Sequence, residues 1–351
     1  STATPSCQVV RAIDLDKIDG ITFFCDIIGG RIIGMHPHHD VHSTTSSSVR
    51  ESFEYCTLFT ACNRIPWWDN RERLVSIYIP LPKKDRVVSL GVRQSRHPVE
   101  GMHQWKFPVN ILFDMELVGQ VTVGEYINYE EIVTRSLVDV SANKGPLTML
   151  FGQPVEGQDL HLFGAYARDS DEKMTLPPEV ETTDNDNFID GMLDDIDYFY
   201  SWAPLEGVSS VTVFKLDCGL VGGIVFRYRN GGVRTVGLCD VFAEREGRIA
   251  AKTVENPKMV RLVGADGVQG IYLGDGLWEN ILEFLTDDGE GENQAEEDQL
   301  PQLQQVEAAV GNGDDDDFEE EFFDYPMKGK MHFWFLPMAT FVRVEEESQE
   351  G

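Results

Sequence analysis

The chain has 351 residues, more than one domain usually contains, so we expect two domains that each bury a hydrophobic core. The formal net charge is −31, and the lack of clustered Lys and Arg argues against binding to nucleic-acid phosphates; six cysteines without a CxxC pair argue against a zinc ribbon. Because no apolar run approaches the roughly 18 residues of a membrane helix and the cysteines look unpaired, we expect no membrane span and a cytoplasmic or nuclear location.

Short apolar runs rich in Val, Ile, Phe and Tyr, separated by Gly, Asn and Pro, predict strands joined by turns. The expected fold class is therefore mainly β, with two β-sheet domains, for which a sandwich-like arrangement is one candidate. Short helices are predicted only over residues 49–61, 278–285 and 302–310. In chain order, the predicted strands cover residues 21–24, 31–35, 74–79, 86–92, 119–123, 211–214, 223–228, 233–236, 259–263, 268–273 and 331–335.

Most of the negative charge lies in two low-complexity segments. Residues 287–324 contain sixteen acidic residues and no Lys or Arg, and residues 169–197 contain eleven acidic residues with one lysine. Such segments repel themselves and stay solvated, so both are expected to be disordered. The predicted domain map, set out by residue range, is a first β domain at 8–166, an acidic linker at 167–197, and a second β domain at 198–344 with an acidic insertion at about 286–325.

Two hairpin-like segments suggest an internal repeat. Ile18–Phe24, a turn with glycine and Ile32–His38 in the first half match Val208–Phe214, a similar turn and Val221–Tyr228 in the second half. A repeat defines a structural unit without reference to any propensity scale. Alternating Val, Ile and Phe, which any half-buried strand needs, is the competing explanation.

A second match lies farther along each half. An aromatic strand that ends in proline, followed by an apolar strand with an arginine, occurs at residues 77–93 and again at residues 333–344. We predict from both matches that an ancestral unit was duplicated, and that Ile21–Phe24 superposes on Val211–Phe214.

The segment from Val211 to Gly237 resembles the opening hairpin of jacalin-like β-prism lectin units, with a strand, a turn, an apolar-aromatic strand and a turn with glycine. It is also similar to lectin-like regions of uncharacterised fungal proteins. The resemblance implies sheets wrapped into a prism and sugar binding by loops at one end, commonly through a GxxxD loop. The GxxxD of this chain, Gly313 to Asp317, lies in a run of aspartates and so does not identify a sugar site.

A histidine-rich segment is the candidate metal site. His36, His38 and His42 lie within seven positions, with Asp40 among them. Alternate residues of an extended segment project to one face, so His36 and His38 could converge on zinc or a similar divalent metal. The alternative is a polar strand end that runs into the loop at residues 43–48. We expect no other cofactor.

Aromatic and acidic side chains in turns are the candidate ligand-binding residues. Trp67 and Trp68 are adjacent, so on a strand they would point to opposite faces, and only one could enter a core. Asp266 and Asp275 lie in turns flanked by glycine, where a carboxylate could accept hydrogen bonds from a sugar. With His36 and His38, these four residues form the predicted ligand-binding set.

No catalytic motif is present: GxSxG, a P-loop, a dinucleotide-binding glycine motif and HExxH are all missing. We therefore expect a non-enzymatic, lectin-like recognition protein that binds a glycan or a protein surface through the loops of two β domains. One alternative is a protein-binding scaffold or substrate adaptor that binds no sugar. Another is a metal-dependent enzyme centred on the histidines at 36–42.

Overall fold

The structure is a computed structural model. It describes residues 10–26, 32–39, 74–95, 108–124, 132–139, 146–152, 163–167, 198–215, 221–239, 250–263, 269–270, 282–286, 322–336 and 339–345. Within these ranges the chain is almost entirely antiparallel β-strand, with one 3₁₀ turn at Leu15–Lys17, which confirms the mainly β fold class. In this part of the chain no helix is long and apolar enough to cross a membrane.

Twenty-one strands are present in the described residues, ten in the first half and eleven in the second. The first half contains β1 (Val10–Asp14), β2 (Gly20–Asp26), β3 (Ile32–His38), β4 (Leu74–Pro80), β5 (Val87–Ser95), β6 (Pro108–Met115), β7 (Gly119–Gly124), β8 (Ile132–Asp139), β9 (Leu147–Gly152) and β10 (Phe163–Ala167). The second half contains β11 (Phe199–Pro204), β12 (Val208–Lys215), β13 (Val221–Tyr228), β14 (Val233–Gly237), β15 (Ala250–Glu255), β16 (Met259–Val263), β17 (Gln269–Gly270), β18 (Leu282–Leu285), β19 (Phe322–Pro326), β20 (Lys330–Leu336) and β21 (Ala339–Glu345).

Each strand predicted from hydrophobic alternation overlaps a strand of the structure. The predicted helix at residues 278–285 is wrong at its end, because Leu282–Leu285 is strand β18. Leu282 and Phe284 are buried and alternate along the chain, which is the period of a strand that faces a core. The other two predicted helices lie outside the described residues. Sequence analysis did not identify β1, β6, β8, β9, β10, β11, β15, β18 and β19.

The described strands of each half form three antiparallel sheets. In the first half their strand orders are β1-β9-β10, β3-β2-β4 and β7-β6-β5-β8. In the second half they are β11-β20-β21-β17, β14-β13-β12-β15 and β18-β16-β19. In both halves the first strand pairs with a strand near the end of that half, so the start and the end of each half lie in one sheet. We call β1-β9-β10 and β11-β20-β21-β17 the closing sheets.

The two closing sheets match in register. Ile13 of β1 pairs with Met149, and Ala203 of β11, 190 positions later, pairs with Met331. All four side chains are buried in the core. The next core positions, Leu15 and Leu205, keep the same offset and are buried as well.

The first strands of the following hairpins keep this offset of 190 positions, and their second strands are offset by 189. Phe24 pairs with Gly34, and Phe214 pairs with Gly223. The register of each hairpin shifts immediately after the phenylalanine. The register therefore places Ile21–Phe24 on Val211–Phe214, as the sequence predicts, whereas the duplication event itself stays a prediction.

The second sequence match does not hold in the structure. Strands β4 and β5 belong to different sheets, whereas β20 and β21 form one hairpin in the second closing sheet. Sheet order instead relates β20 to β9, because each is the partner of the first strand of its half. The aromatic pattern is shared by strands in general, so it could not identify which strands are equivalent.

The two halves are in contact, and one continuous cluster of buried apolar side chains includes residues of both. Strand β14, which has no counterpart among the described strands of the first half, supplies part of this contact. Its Thr235 donates a hydrogen bond of 2.7 Å to the carbonyl of Tyr78 on β4. The ring of Tyr78 packs with Phe214 and Val225 of the second half. The domain boundaries at 8–166 and 198–344 stay a prediction.

Strand β19 begins inside the segment predicted as an acidic insertion. Its Asp324 forms a two-pronged ion pair with Arg261 of β16, at 2.7 and 2.9 Å. This pairing holds the last residues of the acidic segment in the sheet. Residues 287–321 and 168–197 lie outside the described part of the chain.

Candidate functional site

The structure places His36 and His38 on the same face of β3, with ring centres 4.9 Å apart. His38 is fully buried, its Nε2 lies 2.9 Å from the hydroxyl of Thr22, and its ring packs edge-on against Tyr78. His36 is half-buried. Alternation along the strand therefore brings the two rings together, as expected for an extended segment.

The surroundings of His36 disfavour a positive charge. Burial lowers the pKa of His36 below its ordinary value, and the charges of His39 and Arg11 lower it further. Among the described residues no group of three or more His, Cys, Asp or Glu side chains could hold a metal ion. The remaining predicted site residues, His42, Trp67, Trp68, Asp266 and Asp275, lie outside the described residues.

A different surface combines aromatic and charged side chains. On the second closing sheet, side chains alternate between the core, where Met331 and Phe333 are buried, and the opposite face. We call that opposite face the aromatic face. It consists of three cross-strand rows, Tyr200–Trp334–Phe341, Trp202–His332–Arg343 and Pro204–Lys330–Glu345.

A chain of hydrogen bonds crosses the aromatic face. The hydroxyl of Tyr200 lies 2.7 Å from Nδ1 of His332, and Nε2 of His332 lies 2.9 Å from Oε2 of Glu345. Burial lowers the pKa of His332 below 6.5, and the nearby carboxylate of Glu345 offsets this in part. The imidazole is therefore neutral at pH 7, with Nε2–H donating to Glu345 and Nδ1 accepting from Tyr200.

The rings of this face are held in fixed positions. Tyr200 stacks on His332 and lies 5.4 Å from the ring of Trp334. Trp334 is only 4% exposed, whereas Tyr200 and Trp202 remain partly exposed. A ligand would therefore meet Tyr200 and Trp202 first, with Trp334 packed beside Tyr200.

Trp202 is supported from below by a buried cation. The guanidinium carbon of Arg234 lies 3.8 Å from the centre of the Trp202 ring, and Lys330 Nζ lies 5.3 Å from the same point. Burial lowers the pKa of Arg234 to about 10, so it stays charged at neutral pH. One ring face of Trp202 is thus occupied by Arg234, which fixes the plane that the ring presents.

The first closing sheet carries no comparable set. Its matching face presents the described rows Val10–Gly152, Ala12–Leu150–Gly164 and Asp14–Thr148–Tyr166, which contain no histidine. Tyr166 is 52% exposed. Since the two sheets match in the pairing of their first three strands, the aromatic face is, among the described residues, a specialised feature of the second half.

The first half contains a polar face of another kind, on the sheet β7-β6-β5-β8. Ser89 lies between Asp114 and Asp139 on neighbouring strands, and Ser136 lies opposite Gly91. Both serine hydroxyls are buried and make no hydrogen bond within the described chain. Burial and the charge of Asp139 raise the pKa of Asp114. This face thus contains two buried serine hydroxyls whose hydrogen-bonding capacity is not used within the described chain.

Sequence analysis missed the aromatic face, although it predicted the strand at residues 331–335. The alternation Tyr200-Ser-Trp202 and Lys330-Met-His332-Phe-Trp334 is a usable signal, because every second residue shares a face. The pairing of β11 with β20, more than one hundred residues later, could not be inferred from that alternation. Comparison with protein-family models finds no match, and comparison with curated proteins finds no relative.

Proposed function

We propose that the protein is a non-enzymatic, lectin-like recognition protein that binds a glycan on the aromatic face. The observation that carries the proposal is the row Trp202–His332–Arg343, next to Tyr200. It combines a supported aromatic ring with hydrogen-bonding side chains on one sheet face.

The chemistry of these side chains suits a sugar. A pyranose ring has an apolar side that packs on an aromatic ring and hydroxyls that need donors and acceptors at its edge. Trp202 offers the ring, and Tyr200, Lys330 and Glu345 offer polar groups around it. Because His332 orients the Tyr200 hydroxyl, the polar groups are arranged before a ligand arrives, which lowers the entropy cost of binding.

The resemblance to jacalin-like units agrees with this proposal in architecture. Three antiparallel sheets in each half, closed by the first strand, are consistent with two β-prism units. The proposed site differs from a loop site of the GxxxD type, since its side chains project from strands β11, β20 and β21.

A glycan array probed with the full chain tests the proposal. We expect hits with the wild type, loss of those hits in Trp202→Ala, and retention in Tyr166→Ala. Tyr166 is the matched control because it is an exposed aromatic residue on the closing sheet of the other half. Thermal unfolding of each variant checks that Trp202→Ala is folded, and Tyr200→Phe provides a second, milder variant.

An array without hits from wild-type protein contradicts glycan binding. A stable protein that co-purifies with such a chain would then favour the scaffold or adaptor role. Retained hits in Trp202→Ala and Tyr200→Phe would place the glycan elsewhere on the molecule.

A further inference from the structure

The charge of the aromatic face is opposite to that of the whole protein. The chain carries a formal net charge of −31. On the three rows of the aromatic face, Glu345 is the one acidic residue, and Lys330 and Arg343 are basic. Arg234, buried against Trp202, adds a third positive charge, and the carboxylate of Asp85 in the first half partly balances it. A local excess of positive charge on a strongly acidic protein indicates an anionic ligand.

The positive charges are close to the rings. Lys330 Nζ lies 5.3 Å from the centre of the Trp202 ring. Besides burial, the charges of Arg343 and Lys330 both lower the pKa of His332, which pairs with Arg343 across the strands and lies two residues from Lys330 on β20. A carboxylate on a sugar ring that packs on Trp202 would therefore have Arg343 in the same row and Lys330 in the adjacent row.

We propose that the ligand of the aromatic face is an acidic sugar, namely a glycan with a terminal uronic acid, an inference that rests on the proposed glycan binding. The sugar ring packs on Trp202, and its carboxylate is held by Arg343 and Lys330. Glu345 keeps its negative charge while its Oε2 accepts the hydrogen bond of His332, and its cross-strand neighbour is the cation Lys330. An extended acidic peptide shares the charge but lacks the rigid ring that would stack on Trp202.

Titration of the full chain with methyl β-D-glucuronide and methyl β-D-glucoside, followed by tryptophan fluorescence, tests this specificity. At low ionic strength we expect the glucuronide to bind about tenfold more tightly, since charge-assisted hydrogen bonds are roughly twice as strong as neutral ones. The preference should shrink in high salt, because partly exposed charges are screened. This salt dependence is measured on wild-type protein and does not depend on the folding of a variant.

Charge-removing variants locate the effect. Lys330→Gln and Arg343→Gln should each reduce the preference, and the double variant should abolish it. The control is Lys252→Gln, which removes an exposed positive charge from β15, on another sheet of the same half. We expect Lys252→Gln to keep the full preference.

The outcomes separate this inference from the proposed function. Equal binding of the two sugars, or an unchanged preference in the double variant, overturns the acidic specificity and leaves glycan binding intact. Binding of neither sugar, together with an empty array, overturns both proposals. Binding of an Asp- and Glu-rich peptide without binding of methyl β-D-glucuronide overturns the acidic-sugar assignment in favour of a peptide ligand.

Discussion

Arg234 lies with its guanidinium carbon 3.8 Å from the centre of the Trp202 ring, and the same guanidinium joins the two halves of the chain. Its Nε donates to the carbonyl of Trp202, and its two terminal nitrogens donate to the carbonyls of Val118 and Gln120 in the first half. The charge of Asp85, also in the first half, favours the protonated form of Arg234. The residue beneath the candidate site is thus also a contact between the halves.

Replacing Arg234 by Ala should lower the free energy of unfolding by about 3 to 5 kcal/mol. Three backbone carbonyls would lose a charged donor, and the buried carboxylate of Asp85 would lose its nearby positive charge. Chemical denaturation monitored by fluorescence measures the change. Arg227→Ala is the matched control, since Arg227 is exposed and we expect it to cost less than about 1 kcal/mol. A cost for Arg234→Ala as small as that of the control would contradict a role in joining the halves.

The stability of the protein should fall as pH drops below 6.5, with part of the slope due to His332. Because burial lowers the pKa of His332 in the folded state below 6.5, the unfolded chain binds more protons in that range. Protonation of His332 therefore favours unfolding. The stability that the neutral His332 side chain contributes is fully present above about pH 6.5 and is lost as the pH falls. One histidine changes the slope by at most about 1.4 kcal/mol per pH unit.

His332→Gln should reduce this slope, measured as the free energy of unfolding between pH 5 and 8 in steps of about half a unit. The groups that face His332 are Glu345, Arg343, Lys330 and Tyr200, and they remain in the variant. His39→Gln is the control because His39 is exposed. The same slope in wild type and His332→Gln would show that protonation of His332 does not contribute to the pH dependence of stability.

Ser136→Ala, and likewise Ser89→Ala, should leave the protein equally stable or stabilise it by up to about 1 kcal/mol. Each hydroxyl is buried without a hydrogen bond within the described chain, so its removal relieves a desolvation cost. Thr235→Val is the contrasting variant. Its hydroxyl donates to the carbonyl of Tyr78, so its loss should cost about 1 to 2 kcal/mol. If thermal unfolding shows equal losses for all three, the serines have partners after all.

Gly237→Ala should destabilise the protein by about 3 kcal/mol, whereas Gly207→Ala should cost about 1 kcal/mol. Both glycines have a left-handed backbone, with φ of +66° and +71°. A Cβ on Gly237 would overlap the ring of Phe333 and the carbonyl of Gly222, but a Cβ on Gly207 meets nothing within 4 Å. Denaturation curves of the two variants compare strain alone with strain plus overlap. Equal losses of stability in the two variants would mean that the Phe333 ring and the Gly222 carbonyl move aside without lowering the free energy of unfolding.

Local structure follows from the order of residues alone, because alternation of apolar residues reports which side chains share a strand face. Residues 21–24 and 211–214 were recognised as equivalent for this reason, and the registers of their hairpins agree. The same alternation explains why His36 and His38 were expected on one face.

Tertiary structure decided which strands pair and hence which side chains meet. Tyr200, His332 and Glu345 are scattered over more than one hundred residues, and only the pairing of β11 with β20 and of β20 with β21 brings them into one hydrogen-bonded chain. The aromatic repeat at residues 333–344 was assigned to the wrong counterpart for the same reason. Alternation determines which side chains share a face of one strand. Which strand pairs with it depends on the assembly of the whole sheet.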